Sequence, residues 1–355
     1  DVRKFVNADS ASISWDRVQI ESVPRARLGV FNENATRRSL YRPFLKSWLY
    51  FDRFFNNTIY QQHKLFPESE SQNRVILVNA NYGGAGSYAL MADVTPDIHA
   101  NGDAQAFPLY LYESADPEDT SGTAPQLPFG GERSDVGMTR RFAVTDSALD
   151  HFRSAYSPEA GITKESIFYY CYGMLHHPEY LEQYADNLSK ELPRIPRVRS
   201  VEDYWKIHDI GKTLGDWHVG YEQFDMSLAP GVVVDTDGKK LTDAQYRVEK
   251  MRYGKKEGAK DPTTIHYNEF ITVRNIPAHA HDYVIAGRSA IDWVVERQGV
   301  RTDKDSGIVN DSNDWATETM NNPKYPLELL LRVIALSVET LRLVGELPKL
   351  DVLES

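Results

Sequence analysis

Cysteine is almost missing from this 355-residue chain, which contains only Cys171. One thiol excludes an internal disulfide and a zinc site built on several thiolates, and it is typical of proteins kept in a reducing compartment. The sequence therefore predicts a cytoplasmic protein. Cys171 stands among apolar residues at helical spacing, which favours a small core residue over a reactive thiol.

Long apolar runs are also missing. No stretch reaches the roughly 18 residues that a membrane-spanning helix needs, so we expect no membrane partner. The opening residues, DVRKFVNADS, do not resemble a signal peptide and include no initiator methionine. We therefore expect the chain to be part of a longer polypeptide.

Signatures of catalysis are equally scarce. The sequence lacks the GxxxxGK[ST] phosphate loop, the GxSxG nucleophile elbow and the Asn/Asp-Pro-Pro-aromatic motif of amino-methylating enzymes. Asp235, Asp237 and Lys239 resemble the acid-x-Lys pattern of magnesium-dependent nucleases, but a tight turn explains the same residues. We expect a binding unit with no catalytic residue, metal or cofactor of its own, and keep an independent nuclease as an alternative.

Positive charge is in the minority, with 40 Lys and Arg against 51 Asp and Glu and a net charge of −11. Unspecific coating of nucleic acid needs many cations, so this balance excludes it but leaves room for a local basic surface. Residues 239–260 supply one, with eight Lys and Arg against three Asp and Glu. Cations there and in the aromatic-rich stretch 39–67 are candidate contacts to DNA phosphates: Arg42, Lys46, Arg53, Lys239, Lys240, Lys255 and Lys256. The aromatics between them permit base stacking, although we favour packing in the core.

The stretch 163–199 predicts two helices followed by an extended strap. Thr163 can cap the first helix, and Gly173 within it indicates close packing against a neighbour. Pro178 can open the second helix, because proline lacks an N–H that the first turn leaves unpaired. Pro193 and Pro196 then enforce an extended segment. The first helix has one apolar stripe, made of Ile167, Tyr170, Cys171, Met174 and Leu175.

Arginines in the strap alternate with apolar residues, so their guanidinium groups can point together to one side and reach phosphates or guanine edges. The alternative is a surface loop whose arginines pair with Glu191, Glu202 and Asp203. Together with arginines from other segments, the strap supplies the candidate base readers: Arg140, Arg141, Arg194, Arg197, Arg199 and Arg252.

Strand signals dominate the first half of the chain. Residues 74–80 (RVILVNA) predict a buried strand, 88–94 and 106–113 predict two more, and the polar stretch 114–139 predicts a long loop. In the second half, helical patterns accompany an alternating stretch at Thr263–Asn275 that predicts an exposed edge strand. The fold class expected from these patterns is α+β, with a mixed β-sheet in the first half and a helical, mixed second half.

An ordered set of motifs runs from about residue 39 to the end of the chain. The set comprises Tyr41–Phe44 with Leu49–Asp52, Gln105–Tyr110, Ile167–Tyr170 with Tyr172-Gly173 and Leu175-His176, Leu192–Pro196, Tyr267-Asn268 with Ile276-Pro277, and Ser306–Asp311 with Asn313–Trp315. It resembles the C-terminal specificity region of Type ISP restriction-modification enzymes. In these enzymes one polypeptide joins a nuclease, a helicase-like ATPase, an adenine methyltransferase and a target-recognition domain.

The resemblance implies a target-recognition domain. Residues 1–36 would be a linker from the methyltransferase domain of the same polypeptide, 37–160 a β-rich part and 161–355 a helical and mixed part. The implied function is recognition of a short sequence in double-stranded DNA, with the target adenine flipped into the methyltransferase domain. S-adenosylmethionine, ATP and Mg²⁺ would then belong to the other domains. A protein-interaction module, facing its partner with tyrosines and acidic residues, is the second alternative.

Overall fold

The computed structural model describes residues 30–56, 58–79, 89–100, 104–114, 138–229, 231–304 and 307–353. Most of the expected linker at 1–36 and nearly all of the polar loop at 114–139 lie outside these ranges. The described strands are β1 (Thr36–Arg42), β2 (Leu45–Tyr50), β3 (Val75–Asn79), β4 (Ala89–Ala92), β5 (Thr95–Pro96), β6 (Ala104–Pro108), β7 (Tyr110–Ser114), β8 (Met138–Phe142), β9 (Val233–Asp235), β10 (Arg252–Lys256), β11 (Ala259–His266), β12 (Thr272–Arg274), β13 (Val284–Ile285), β14 (Arg288–Ser289), β15 (Val300–Thr302) and β16 (Val309–Asp311).

Helices lie mainly after residue 140, so the predicted α+β class is confirmed. Within the described ranges, no helix is long and apolar enough to cross a membrane. The α-helices are α1 (Gln62–Leu65), α2 (Asp146–Arg153), α3 (Lys164–Met174), α4 (Pro178–Gln183), α5 (Ala185–Leu188), α6 (Val201–Val219), α7 (Ala290–Arg297), α8 (Ser312–Asp314) and α9 (Tyr325–Val344).

The central sheet consists of β4, β3 and β6, with β3 in the middle and antiparallel to both neighbours. All residues of β3 are buried, as the run RVILVNA predicts. Its side chains alternate: Val75 and Leu77 pack into one hydrophobic core, whereas Ile76 and Val78 pack into another. A strand buried on both faces therefore joins the two cores.

The first core contains residues of the central sheet, of the leucine-rich helix α9 and of the sheet ordered β10-β11-β12-β9. The second core contains residues of α3, α6 and the other face of the central sheet. Both cores draw residues from before and after position 160. The division of the chain at 160/161 stays a prediction.

Helices α3 and α6 cross with their backbones in contact. The Thr163 side chain caps α3, as predicted. A Cβ added to Gly173 would lie 2.2 Å from the carbonyl oxygen of Ile207, and one added to Gly211 would lie 2.1 Å from that of Tyr169. The close packing predicted at Gly173 is confirmed, and it requires a second glycine on the partner helix.

Burial of α3 is more extensive than one stripe. Phe168, Tyr169 and Tyr172 are buried besides the predicted residues, because α6, α2 and the central sheet surround the helix. Cys171 is half-buried and packs against the second core. Burial raises the pKa of its thiol to about 12, so the thiol stays protonated and unreactive at neutral pH.

The stretch Thr263–Asn275 forms two strands, and the prediction of a single edge strand is wrong. A turn at Asn268 reverses the chain between β11 and β12, and Asn268 Oδ1 accepts the amides of Phe270 and Ile271 at 2.8 and 2.9 Å. The edges of this sheet are β10 and β9. Alternation along a strand reports that one face is buried, and it carries no information about the position of the strand in its sheet.

Candidate nucleic-acid interface

The hairpin formed by β10 and β11 projects from the fold and carries lysines. Its turn, Glu257-Gly258, has φ angles of 52° and 81°, as a two-residue type I′ turn requires. Residues 255–260 are all exposed. Lys255 lies opposite Lys260 in the ladder, whereas β12 pairs only with the base of the hairpin at residues 265–266. The tip is therefore a two-stranded, positively charged ribbon.

The base of the hairpin continues into the exposed face of the sheet. Arg252, His266, Thr272 and Asp235 stand in register across β10, β11, β12 and β9. Arg252 is exposed on the β10 edge, and neither it nor the two hairpin lysines of β10 forms an ion pair with a carboxylate of the described part of the chain. On the opposite edge, Arg274 Nε lies 3.0 Å from Asp235 Oδ2 and neutralises it. Uncompensated positive charge thus collects along β10.

The basic segment 239–260 does not form one continuous patch. Lys239 and Lys240 follow the Asp235 end of β9, whereas Lys255 and Lys256 lie at the other end of the sheet, because β10 runs away from the Arg252–Asp235 row toward the level of Val233. The two lysine pairs therefore stand at opposite ends and on opposite edges of one sheet.

The strap at 192–199 is extended, as predicted, and is held on both sides. On one side its alternate carbonyls accept tyrosine hydroxyls: Tyr180 donates to Arg194 at 3.0 Å, Tyr170 to Pro196 at 2.7 Å and Tyr156 to Val198 at 2.6 Å. On the other side the Arg199 amide donates to the Asp351 carbonyl at 2.8 Å, and the Leu353 amide donates to the Arg197 carbonyl at 2.9 Å. The backbone of the strap is thus a fixed part of the fold.

The three strap arginines do not point together, which corrects that expectation. Arg194 lies 2.8 Å from Glu191, Arg197 donates to the His151 carbonyl at 2.6 Å, and Arg199 lies 3.3 Å from Asp351. In an extended segment, position 194 faces the side opposite to positions 197 and 199, and different elements supply the partners on each side. The loop alternative is right about Glu191.

The candidate phosphate contacts of the first half have different surroundings. Lys46 has a side chain that is 10% exposed, and its Nζ lies 3.0 Å from Glu222 Oε2, so it is enclosed by the fold. Arg42 is half-buried and lies 3.2 Å from Asp97 Oδ1. Arg53 is exposed in a turn after β2. Two of these three side chains are therefore engaged by carboxylates of the fold.

Strand β8 carries the two remaining arginine candidates. The Arg140 guanidinium lies over the Tyr110 ring at 4.1 Å from its centroid, and Arg141 Nη2 lies 2.7 Å from Glu113 Oε1. Both are exposed on the pair β7–β8, whose connecting residues 115–137 lie outside the described ranges. Arg140 therefore presents a cation on an aromatic ring, whereas Arg141 is engaged by a carboxylate.

The acid-x-Lys fragment is a turn. Asp235 Oδ1 accepts the Asp237 amide at 3.0 Å, and Asp237 and Gly238 both have positive φ angles. The Asp235 carboxylate also binds Arg274, and these hydrogen bonds lower its pKa below the usual value. Across the described ranges, no group of three or more His, Cys, Asp or Glu side chains is arranged to hold a metal ion.

Several motif residues have structural contacts. Asn313 pairs with the backbone of Val248 like a neighbouring strand, accepting its amide at 3.0 Å and donating to its carbonyl at 2.9 Å. Asp311 caps α8 and lies 2.6 Å from Arg247 Nη2. The Tyr267 hydroxyl donates to the Tyr246 carbonyl at 2.6 Å. These motif residues therefore belong to the scaffold.

An arginine cluster escaped the sequence analysis. Arg288, Arg297 and Arg301 all contact Glu296, with Arg297 at 3.4 Å and Arg301 at 3.5 Å. The three arginines come from β14, the end of α7 and β15. Local charge counting misses them because Asp292 and Glu296 balance the arginines within the same stretch of sequence.

A pair of tryptophans, one exposed and one half-buried, was missed as well. Trp48 is 55% exposed, faces Arg38 across β1 and β2, and lies 5.9 Å from the Trp315 ring. The Arg38 guanidinium lies near both rings, at 5.9 and 6.0 Å from their centroids. Trp315 is 267 positions from Trp48 in the chain, so no local pattern in the sequence signals the pair.

Comparison with known proteins identifies the family. Residues 1–329 match the family model of the Type ISP C-terminal specificity domain. The structure of LlaBIII, an ATP-dependent Type ISP restriction-modification enzyme bound to DNA, matches 99% of this chain at 30% identity with a TM-score of 0.80. The structure of a nuclease-deletion mutant of the Type ISP enzyme LlaGI with a DNA substrate mimic matches 98% of this chain at 32% identity, with a TM-score of 0.76. The structure of the DrdV–DNA complex matches 99% of this chain at 27% identity, with a TM-score of 0.76.

These three proteins are much longer than the present chain, which spans 21%, 28% and 32% of their respective lengths. None of the curated proteins compared with the chain matches it. The family model covers far more than half of the sequence, and the resemblance inferred from the motifs is confirmed. The chain belongs to the family of Type ISP C-terminal specificity domains.

Proposed function

We propose that this chain recognises a short sequence in double-stranded DNA for a Type ISP restriction-modification enzyme. The observation that carries the proposal is that three structural neighbours, each solved with DNA or a DNA mimic, match 98–99% of the chain. The proposal assigns no chemical step to this chain. It assigns adenine methylation, with S-adenosylmethionine, to a methyltransferase domain of the same polypeptide, and the use of ATP and Mg²⁺ to further domains, all acting in the cytoplasm.

The β10 edge and the hairpin tip are the proposed DNA surface. The major groove of B-DNA admits a two-stranded β-ribbon, and an exposed ribbon with lysines on both strands suits this geometry. Lys255 and Lys256 would contact phosphates, and Arg252, at the base of the ribbon, would reach base edges. Hydrogen bonds from Thr263 and Thr264 lower the pKa of Asp261, and the charge of Lys256 adds to this effect. Asp261 thus stays ionised close to the tip, where Glu257 is a further carboxylate and Asp292 pairs with Lys260.

The other candidates take secondary places in the proposal. Arg140 stays a candidate base reader, because its guanidinium is exposed on the Tyr110 ring. Arg53, Lys239 and Lys240 stay candidate phosphate contacts because they are exposed. We assign Lys46 to the scaffold, since its side chain is nearly buried and its ammonium group pairs with Glu222. Arg42, Arg141 and the three strap arginines are engaged by protein acceptors and would have to exchange them for phosphates.

The test is the salt dependence of duplex binding by the double variant Lys255→Gln/Lys256→Gln. Each phosphate contact contributes about −0.9 to the slope of log Kobs against log salt concentration, so we expect the slope to become shallower by about 2. Fluorescence anisotropy with a labelled duplex between about 50 and 200 mM salt measures this, at protein concentrations that reach unspecific dissociation constants of roughly 1–100 μM.

The matched control is Lys190→Gln/Lys349→Gln, which removes two exposed lysines from other surfaces. This control should retain the slope of the unsubstituted chain. Equal slopes for both double variants would remove the hairpin from the interface. An unsubstituted chain that binds no duplex at the highest concentration would contradict the proposed function and favour the protein-interaction module.

A further inference from the structure

A cleft of about 610 Å³ opens beside the start of β10. Its walls are residues 249–251, one side of α7 and the first residues of β15. Met251, Val295 and Val300 supply apolar surface, and Lys250, Arg288 and Arg301 supply cations. The isolated bridge between Lys250 and Gly299 fixes the floor, where a Cβ on Gly299 would lie 2.6 Å from the Glu249 carbonyl oxygen. The cleft is therefore a built feature with charged groups on both walls.

Its positive charge is concentrated and only partly compensated. Three arginines share the single carboxylate of Glu296. Burial lowers the pKa of Arg297, and the positive charges of Arg301, Arg42 and Arg288 add to this effect. These groups are thus close enough for their charges to repel one another. An additional anion in the cleft would relieve this repulsion.

The acidic groups of the cleft already have partners. Asp292 accepts hydrogen bonds from Tyr253 at 2.7 Å, from Ser289 at 2.8 Å and from Lys260 at 3.1 Å. Glu249 lies 2.7 Å from Arg247. Their negative charges are therefore balanced by Arg247 and by Lys260 of the hairpin. The Lys250 ammonium, in contrast, has no carboxylate partner in the described part of the chain.

Two polar groups beside the cleft are left unsatisfied. Gln298 lines the cleft, is 2% exposed, and its Oε1 has no hydrogen-bond partner among the described residues. The Arg297 Nε is buried without an acceptor within the same ranges. Of the two, only Arg297 Nε is a donor from which an anion can accept, whereas Gln298 Oε1 needs a donor such as water. The case for an anion therefore rests on the arginines.

We infer that the cleft lined by Lys250, Arg288 and Arg301 binds a phosphate group of the DNA backbone. This inference rests on the proposed function and names a second contact point on the same duplex. The cleft and the hairpin tip lie along one strand, β10, so one phosphate backbone can follow both. One guanidinium group can donate two parallel hydrogen bonds to two oxygens of the same phosphate, and the apolar walls strengthen that attraction by excluding water.

Single variants at the two exposed arginines test the inference. Arg301 and Arg288 are 60% and 48% exposed, so Arg301→Gln and Arg288→Gln are expected to fold, which circular dichroism and the thermal midpoint will check. We expect each variant to bind a duplex of arbitrary sequence several-fold more weakly at low salt. Each should also reduce the magnitude of the slope of log Kobs against log salt by about 1.

The control is Arg342→Gln, because Arg342 is 53% exposed and contacts Glu339 of α9 and Glu346 just after its end. It loses equivalent surface ion pairs and should keep the slope and affinity of the unsubstituted chain. If the unsubstituted chain binds and Arg288→Gln and Arg301→Gln bind like it, the cleft holds no phosphate and the inference alone is wrong. If the unsubstituted chain binds no duplex, the proposed function is wrong, and the cleft loses its DNA ligand with it.

Discussion

Lys46 and Glu222 form an ion pair that is almost enclosed, with side chains that are 10% and 3% exposed. Glu222 also accepts the Tyr325 hydroxyl at 2.7 Å, so it joins β2 to α9. Without Glu222, the Lys46 ammonium keeps Asp93, at 3.9 Å, as its remaining carboxylate. Breaking a buried pair by removing one partner costs about 3–5 kcal/mol. We therefore expect Glu222→Gln to lower the free energy of unfolding by about 3 kcal/mol, as measured by urea denaturation.

The exposed pair of Arg194 and Glu191 provides the comparison, because solvent-exposed pairs contribute about 0–1 kcal/mol. Glu191→Gln should therefore change the free energy of unfolding by less than 1 kcal/mol. If Glu222→Gln also lowers the free energy of unfolding by less than 1 kcal/mol, Lys46 reaches solvent. In that case Lys46 would return to the candidate phosphate contacts.

At the scale of elements, the crossing of α3 and α6 depends on two glycines. A Cβ at Gly211 would lie 2.1 Å from the Tyr169 carbonyl oxygen and 2.5 Å from the Gly173 amide nitrogen, so the helices would have to move apart. Overpacking in a core costs typically 1–3 kcal/mol and occasionally more. We expect Gly211→Ala to lose at least about 3 kcal/mol of unfolding free energy, because the obstacle is rigid backbone.

A second glycine of α6 gives a matched control. A Cβ at Gly215 would meet the sulfur and terminal methyl of Met91 at 2.8 and 2.9 Å, and this flexible side chain can give way. Alanine also has the higher helix propensity, by about 1 kcal/mol. Gly215→Ala should therefore cost clearly less than Gly211→Ala in the same denaturation series. Equal costs would contradict the backbone contact.

Sequence analysis succeeds for elements whose cause is local. Thr163 caps a helix, the prolines of the strap extend it, and the Asp237-Gly238 turn follows from side chains close together in the chain. It fails for the direction of the strap arginines, because His151 and Asp351 are distant in sequence and decide where the guanidinium groups lie. The three tyrosines that hold the strap lie just after α2, in α3 and in α4, and they share no common sequence pattern.

The candidate site shows the same division at the scale of the whole molecule. The charge count along 239–260 identifies a basic segment, and Arg252, Lys255 and Lys256 do collect on one strand. The count cannot tell that Lys239 and Lys240 fold to the opposite end, because the strand register decides this. The arginines around Glu296 lie within residues 288–301, but they meet at one carboxylate only after β14, α7 and β15 are packed.

Three enclosed histidines make the stability of the whole molecule depend on pH. Burial lowers the pKa of His63, lowers that of His176 to about 4, and lowers that of His218 well below 6.5, with His176 adding to the effect at His218. As the pH falls through 6.5, the unfolded chain therefore binds more protons than the folded chain. The contribution of these neutral rings to stability is complete well above pH 6.5 and falls as the pH drops, by up to about 1.4 kcal/mol per pH unit for each ring that stays neutral in the folded protein.

Urea denaturation at several pH values between 5 and 8 measures this dependence. Carboxylates with lowered pKa values, such as Asp216 and Asp311, add their own loss only below about pH 5, because unfolded Asp and Glu titrate near 4. The interval from 5 to 6.5 therefore isolates the histidines. A free energy of unfolding that stays constant over this interval would show that the folded rings bind protons as readily as those of the unfolded chain.

The double-sided burial of β3 constrains how this protein can change. Inserting or deleting one residue in Val75–Asn79 would exchange the side chains of the two faces, so that each core would receive the contents of the other. The loop end of the β10–β11 ribbon is less restricted, because residues 255–260 are all exposed, with Lys260 paired to Asp292 on α7. Substitutions, insertions and deletions at the tip of the ribbon can thus change its binding partners, whereas insertions and deletions in β3 would disrupt both cores.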